Sequence, residues 1–451
     1  MTVDGGATEV PTNPSDDVVE VVSRLIRFDT TNTGELETTR GEAECAQWVA
    51  EQLAEVGYWP EYLESGAPGR GNVVARLAGA DSSRGALLIH GHLDVVPAEP
   101  ADWSVHPFSG AIENGYVWGR GAVDMKDMVG MMIVVARQLK QAGIVPPRDL
   151  VFAFVADEEH GGHYGAQWLV DNRPDLFDGV TEAIGEVGGF SLTVPRRDGG
   201  ERRLYLIETA EKGLSWMRLS TRGRAGHGSM VNDQNAVTVL AEAVARLGRH
   251  RFPLMLSDTV IQFLAAVSDE TGLELDVNSP DLEGTLEKVG PMARMLNAVL
   301  RDTANPTMLK AGYKANVIPA TAEAVVDCRI LPGRRAAFEA EVDELIGPDV
   351  TREWIRDLPP YETSFDGDLV DAMNAAVLVL DPDARTVPYM LSGGTDAKAF
   401  ARLGIRCFGF SPLRLPPDLD FVALFHGVDE RVPVESLRFG TAVLAHFLTH
   451  C

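Results

Sequence analysis

His92 and Asp94 stand two residues apart in LLIHGHLDVVP, directly behind an apolar run. Alone, such a pair carries little information, because polar residues often end strands. Further along, GRGAVDMKD carries Asp124 and Asp127, VADEEHGG carries Asp157, Glu158 and Glu159, EAIGEV ends on Glu186, and ALFHGVDE contains His426. Carboxylates gathered from these segments would repel one another and raise each other's pKa unless cations compensated them, so their convergence implies bound metal. Imidazole and carboxylate donors without thiolate suit zinc, and also cobalt or manganese, and the set is large enough for two ions. One of Glu158 and Glu159, next to ligands but not itself bound, could take a proton from a water held there and pass it to a leaving group.

These residues need a scaffold that delivers them together. NVVARLAG, GALLIHG, DLVFAFVAD and EAIGEV are short apolar runs, and the last three present polar residues where each run ends. MVGMMIVVARQLKQAG, between the second and third, has the length and closing glycine of a buried helix, and its methionines, with Met125, read as core filling. Strands alternating with helices predict a mainly parallel sheet, which gathers ligands at the carboxyl ends of its strands. Near Gly213 the pattern changes. LSWMRLSTRG alternates like a half-buried strand, VTVLAEAVARLGRH is helical, and KANVIPATAEAVVDCRILPG reads as two strands joined at a turn. The expectation is an α/β catalytic domain split over 17–212 and 335–451, with a smaller α+β unit inserted at 213–334 and a loose tail at 1–16. The terminal HFLTHC reads as a frayed helix end.

A chain of 451 residues exceeds what one core usually serves, in keeping with two domains. A formal charge of −26 repels polyanions and argues against nucleic acid as a partner. No run is long enough to span a bilayer, and MTVDGGATEVPTNPSDD lacks the basic start and apolar stretch of a secretory signal, so a cytoplasmic protein is expected. Cys45, Cys328, Cys407 and Cys451 are scattered without a CxxC pair, which predicts free thiols.

Taken in order, HGHLDVVP, GRGAVDMKD, DEEHGG, RAGHGS, NVIP, SGGTDA and FHG resemble the co-catalytic zinc amidohydrolases and exopeptidases, among them aminoacylase, acetylornithine deacetylase, succinyl-diaminopimelate desuccinylase, glutamate carboxypeptidase and dipeptidases. The resemblance runs from about residue 17 to 450. It implies two zinc ions, one held by His92, Asp124 and Glu186, the other by Asp124, Glu159 and His426. It implies Glu158 as general base and acid, and Asp94 as the residue that orients His92. The inserted unit would be a lid and dimerisation domain that presents His227 to the oxyanion across a homodimer interface. Arg329 and Asn316, with Gly394 and Thr395, would grip a substrate carboxylate. Where many relatives have glycine or proline after the third-strand carboxylate, this chain has Val187 in GEVGG.

The resulting expectation is a hydrolase that uses a two-zinc-activated water on the amide bond of small peptides or N-acyl amino acids with a free carboxylate. A biosynthetic deacylase of the desuccinylase or acetylornithine type is the nearest alternative. A peptide binder that has lost the chemistry and a two-metal phosphoesterase stand further off.

Overall fold

A computed structural model describes residues 17–276, 279, 282–287 and 292–451; the proposed tail at 1–16 lies outside them. Ten strands form the main sheet, eight of them in the spatial order Glu61–Glu64, Gly71–Leu77, Leu150–Val155, Ala86–His92, Val180–Gly185, Arg406–Gly409, Glu201–Glu211, Tyr361–Glu362. Arg385–Leu391 and Ser191–Pro195 also pair with Glu201–Glu211. The centre is parallel: Ala86–His92 runs with both Leu150–Val155 and Val180–Gly185, and Arg406–Gly409 with Val180–Gly185. The margins at Glu61–Glu64, Gly71–Leu77 and Tyr361–Glu362 are antiparallel.

The central strands are apolar without interruption because both faces are covered. Leu87, Ile89, Leu150, Phe152 and Phe154 enter one core, while Leu88, Val151, Ala153 and Val155 enter another, as the two-residue period of a strand requires. The Lys126–Gln141 helix crosses between the first two parallel strands, and Met128, Met131 and Met132 are fully buried in the larger core. Parallel register then places the residues after His92, Val155 and Gly185 at one end of the sheet.

A second, antiparallel sheet has the order Thr303–Ala311, Thr321–Ile330, Gly213–Arg222, Thr351–Leu358. Met217, Leu219, Val326, Cys328 and Ile330 point to its own core under the Ala236–Arg249 and Arg335–Ile346 helices. The expected boundary at 334 therefore falls short, since Thr351–Leu358 extends this sheet and Arg335–Ile346 covers it. Within the inserted stretch, Val260, Phe263, Leu264, Leu296 and Leu300 instead join the larger core of the catalytic sheet. The strands expected around NVIP do not form a hairpin with each other: Val317–Ile318 pairs with Gly226–His227, while Thr321–Ile330 lies between Thr303–Ala311 and Gly213–Arg222.

The chain end also differs from expectation. The last helix runs Val434–His450, with Phe447, Leu448 and Cys451 buried, because its apolar side lies on the core to the final turn. Among the described residues no helix is long and apolar enough to cross a membrane.

All four cysteines are free and buried. Burial pushes the thiols of Cys45 and Cys328 up to about 12 and that of Cys451 up to about 11. A thiol is a nucleophile only when ionised. Ellman's reagent at pH 8 should thus label none of the four rapidly in native protein and all four in guanidinium; fast stoichiometric native labelling would contradict this packing.

Candidate metal centre

His92 closes its strand, and its ring is buried. Its Nδ1 lies 2.9 Å from the Asp94 carbonyl oxygen, which places the proton on Nδ1 and turns the Nε2 lone pair toward the acidic residues. Nε2 stands 3.1 Å from Asp124 Oδ1 and 3.4 Å from Glu186 Oε2. On the other side of Asp124, His426 Nε2 is 3.2 Å from Asp124 Oδ2 and 3.1 Å from Glu159 Oε2. Two three-residue donor sets, His92–Asp124–Glu186 and Asp124–Glu159–His426, share one carboxylate. Glu158 belongs to neither.

The electrostatics explain why such a set calls for cations. Burial and then Glu186 push the Glu158 carboxyl well above its ordinary range. Burial, followed by Asp124, raises Glu159 to about 7, and burial raises Glu186 to about 7 against the pull of His92. Burial would raise Asp124 too, but hydrogen bonds from His426 and His92 hold it below the usual carboxylate range. The same bonds, to Asp124 first and Glu159 second, lift His426 to about 10. A divalent cation competes with these protons for the same lone pairs. Glu159 Oε1 is buried without a hydrogen-bond partner, and no thiol is nearby, so the donor chemistry fits two zinc-like ions.

The supports come from distant segments. Asp94, expected to orient His92, meets its Nδ1 through the carbonyl oxygen at 2.9 Å, with the carboxylate 3.5 Å from the same atom. It accepts from the backbone N–H of Glu158 at 3.0 Å and Glu159 at 3.1 Å, and from Asn32 Nδ2 at 2.8 Å. Asp94 thereby fixes the acidic turn as a unit. Asp157, with a left-handed backbone at φ 67°, opens that turn and accepts from Asn32 Nδ2 at 2.9 Å, Tyr164 N at 3.0 Å and the Arg70 guanidinium, which also pairs with buried Glu42. Arg120 Nη1 pairs with buried Glu430 Oε2 at 2.6 Å, and Glu430 accepts from Gly121 and Val123 N–H, so the loop bearing Asp124 is tied to the loop bearing His426. Asn32, Arg70, Arg120 and Glu430 were not read from the sequence. The GEVGG departure resolves locally: Val187 takes φ 57°, a costly conformation for a β-branched residue, at the point where Glu186 turns inward.

A cavity of about 1160 Å³ opens over the centre, lined by Asp124, Glu158, Glu159, Glu186 and His426. Arg329, Gly394 and Thr395 also line it, although Thr395 N and Oγ1 both bond to buried Glu211 and Arg329 is forked onto Asp327 at 2.7 and 3.1 Å. His227 and Asn316 are not brought there. They lie side by side on an exposed two-strand ribbon of the inserted unit, where His227 Nδ1 meets Ser229 Oγ at 2.8 Å and Asn316 O accepts from Gly228 N.

Comparison with known proteins gives a consistent frame. A sequence model of peptidase family M20/M25/M40 matches residues 88–450. The chain is 28% identical to the N-fatty-acyl-amino acid synthase/hydrolase PM20D1 of Xenopus tropicalis, over 96% of this chain and 85% of that protein. It is 31% identical to the probable carboxypeptidase S-like 2 of Dictyostelium discoideum, over 84% and 74%. Its fold is similar to the M20 family metallo-carboxypeptidase Sso-CP2 from Sulfolobus solfataricus, at a TM-score of 0.69 and 18% identity over 96% of this chain and 99% of that one.

Elemental analysis of zinc-loaded protein should find two ions per chain, one for each donor set. His92→Ala and His426→Ala should each lose one of them, and Asp124→Asn should weaken both. Retention of both ions in the two histidine variants would refute these assignments.

Proposed function

The chain belongs to peptidase family M20/M25/M40, and from that membership we propose that it hydrolyses the amide bond of N-acyl amino acids whose acyl group is long and apolar. As a member it is a metal-dependent hydrolase of amide bonds; the acyl preference and the residue roles are our reading. The observation that carries it is the cavity, acidic at one wall and apolar at another. Phe190, Leu391, Leu415, Pro416, Phe421 and Phe425 form the apolar wall. An acetyl group would leave most of that wall wet, and a charged succinyl group would have to be desolvated against it. The reading also agrees with the name of the PM20D1 relative, an N-fatty-acyl-amino acid synthase/hydrolase.

His92, Asp124 and Glu186 would hold one zinc ion, and Asp124, Glu159 and His426 the other. When bound, the ions supply Lewis acidity toward the amide carbonyl and lower the pKa of water. Glu158, outside both sets and with a carboxyl raised by burial, takes a proton from the attacking water and returns it to the leaving nitrogen. Asp94 keeps that carboxyl in place through the backbone of its turn. Arg329, with Gly394 and Thr395, faces the carboxylate end of the substrate.

We read His227 and Asn316, exposed on their ribbon, as residues that serve the centre of a second copy. Their ribbon carries exposed apolar neighbours, Met230 at 67%, Val231 at 93% and Tyr313 at 83%. Thr303–Ala311, an edge strand of the same unit, exposes Met308 and Leu309. An exposed apolar edge next to a stranded pair of polar residues suits a homodimer in which each lid completes the partner's site.

Two measurements test this reading. With one amino acid held constant, kcat/KM should rise from N-acetyl through long-chain N-acyl substrates, by up to about fourfold per buried methylene; a flat series, or a preference for dipeptides, would remove the acyl assignment. Glu158→Gln should keep both metal equivalents and lose roughly 10²- to 10⁴-fold in kcat. Mixing it with His227→Ala protein under exchange should restore activity, because a mixed dimer contains one site with both residues intact. Failure to recover would show that His227 does not act across copies.

A further inference from the structure

Four lysine or arginine side chains line the cavity: Arg329, Arg356, Lys398 and Arg402. Three already have a carboxylate. Arg329 is forked onto Asp327, Lys398 pairs with buried Glu211, and Arg402 pairs with Asp171. Among the described residues the Arg356 guanidinium has no carboxylate within ion-pair distance and makes no hydrogen bond.

Strand register explains why. Trp216 lies between Asp327 on one neighbouring strand and Arg356 on the other, while Leu214 lies between Arg329 and Leu358. These residues occupy the sheet face that looks away from the lid core, and Leu214, Trp216, Arg329, Arg356 and Leu358 all line the cavity. The indole separates Arg356 from Asp327 and takes the guanidinium on its ring, with Cζ 4.9 Å from the centroid. Stacking of this kind holds a guanidinium flat without consuming its N–H donors. On its other side Arg356 packs against Gly161, where a Cβ would fall 1.9 Å from Nη2. Gly161 ends the short turn that begins with Glu158. The longer-range charges acting on Arg356 are led by Glu158 and Asp157, with Arg329 and Asp327 behind them.

In an N-acyl amino acid the free carboxylate sits one carbon from the amide nitrogen. Whatever reads it must therefore lie close to the group that protonates that nitrogen. Arg356 meets this condition through its contact with the Glu158 turn, and among the described lysines and arginines that line the cavity it is the one without a carboxylate partner. We propose that Arg356 is a specificity-determining residue that binds the substrate carboxylate and neutralises it, while Arg329, already matched by Asp327, contributes hydrogen-bond direction. The inference rests on the hydrolase reading above. It assigns the selection of acids over neutral amides to a stacked arginine on the outermost strand of the lid sheet.

Arg356→Met keeps the packing against Trp216 and removes the charge; Arg356→Lys restores a point charge without the fork. The zinc-loaded full chain would be assayed on a long-chain N-acyl amino acid and on its carboxamide, which lacks only the charge. Arg356→Met should raise KM for the acid roughly ten- to hundredfold, the value of one charge-assisted contact, with kcat close to wild type. The carboxamide should be cleaved by variant and wild type alike, and Arg356→Lys should recover part of the lost affinity. Equal losses on acid and carboxamide would mark Arg356 as a structural tie between lid and turn, and no change on either would remove it from recognition; both results overturn the proposal. If wild-type protein cleaves neither compound, it is the hydrolase reading that fails. Calorimetric binding of the N-acyl amino acid then decides the inference, weaker binding by Arg356→Met supporting it and equal binding overturning it.

Discussion

Mutual repulsion among Asp124, Glu158, Glu159 and Glu186 is the constraint around which this molecule is built. Each is drawn to the end of the central sheet, and burial denies each the water that would stabilise its charge. A fold that tolerated the cluster only by protonating it would have no use for two imidazoles turned inward with their Nε2 atoms free of backbone partners. The arrangement makes sense when cations are the compensating charge, because then the same burial that penalises the carboxylates strengthens their hold on the ions. Excluding Glu158 from both donor sets leaves one carboxyl with a raised proton affinity beside them, as proton transfer requires.

Rigidity of the centre comes from ion pairs and hydrogen bonds that never touch the donors' own oxygen atoms. Asp94 holds the backbone of Glu158 and Glu159, Asp157 is clamped by Asn32 and Arg70, and the Arg120–Glu430 pair ties two loops that carry a shared ligand and a terminal one. These pairs are buried, so each would be expensive if half removed. Their effect is positional: a turn with left-handed Asp157 at its start presents two adjacent glutamates in different directions, one toward His426 and one toward the substrate space.

His92, Glu158, Glu159 and Glu186 could be read as polar strand ends because they stand behind apolar runs that alternate with a buried helix, whereas the sorting of donors into two sets around Asp124, with His426, came only from the resemblance of the motifs to the zinc amidohydrolases. Neither condition holds for the supports. Arg70 and Asp157 are 87 residues apart and Arg120 and Glu430 are 310 apart, so no local period links them. Asn32 sits in a polar loop that looks like any other. The lid boundary was misplaced for a related reason: TREWIRDL alternates as an edge strand should, but its partner, LSWMRLSTRG, precedes it by more than a hundred residues. Asp258–Thr271 is helical, and nothing in its pattern reveals which of two cores receives its apolar side. The chain end read as frayed because its polar residues were weighed without the core that Phe447 and Leu448 meet.

Two kinds of residue emerge in the inserted unit, and their positions bear on the homodimer proposed above. Arg329, Trp216, Arg356 and Leu358 lie on the sheet face that already borders the cavity, whereas His227 and Asn316 lie on a ribbon open to solvent. The first face touches the turn that ends at Gly161 through Arg356. In the homodimer proposed above, His227 would come from a second copy while each chain's own sheet face stays against its own turn. On that proposal, recognition of the carboxylate would be an intrachain property and completion of the oxyanion site an interchain one, so charge-reading and turnover would respond separately to substitutions on the same small domain.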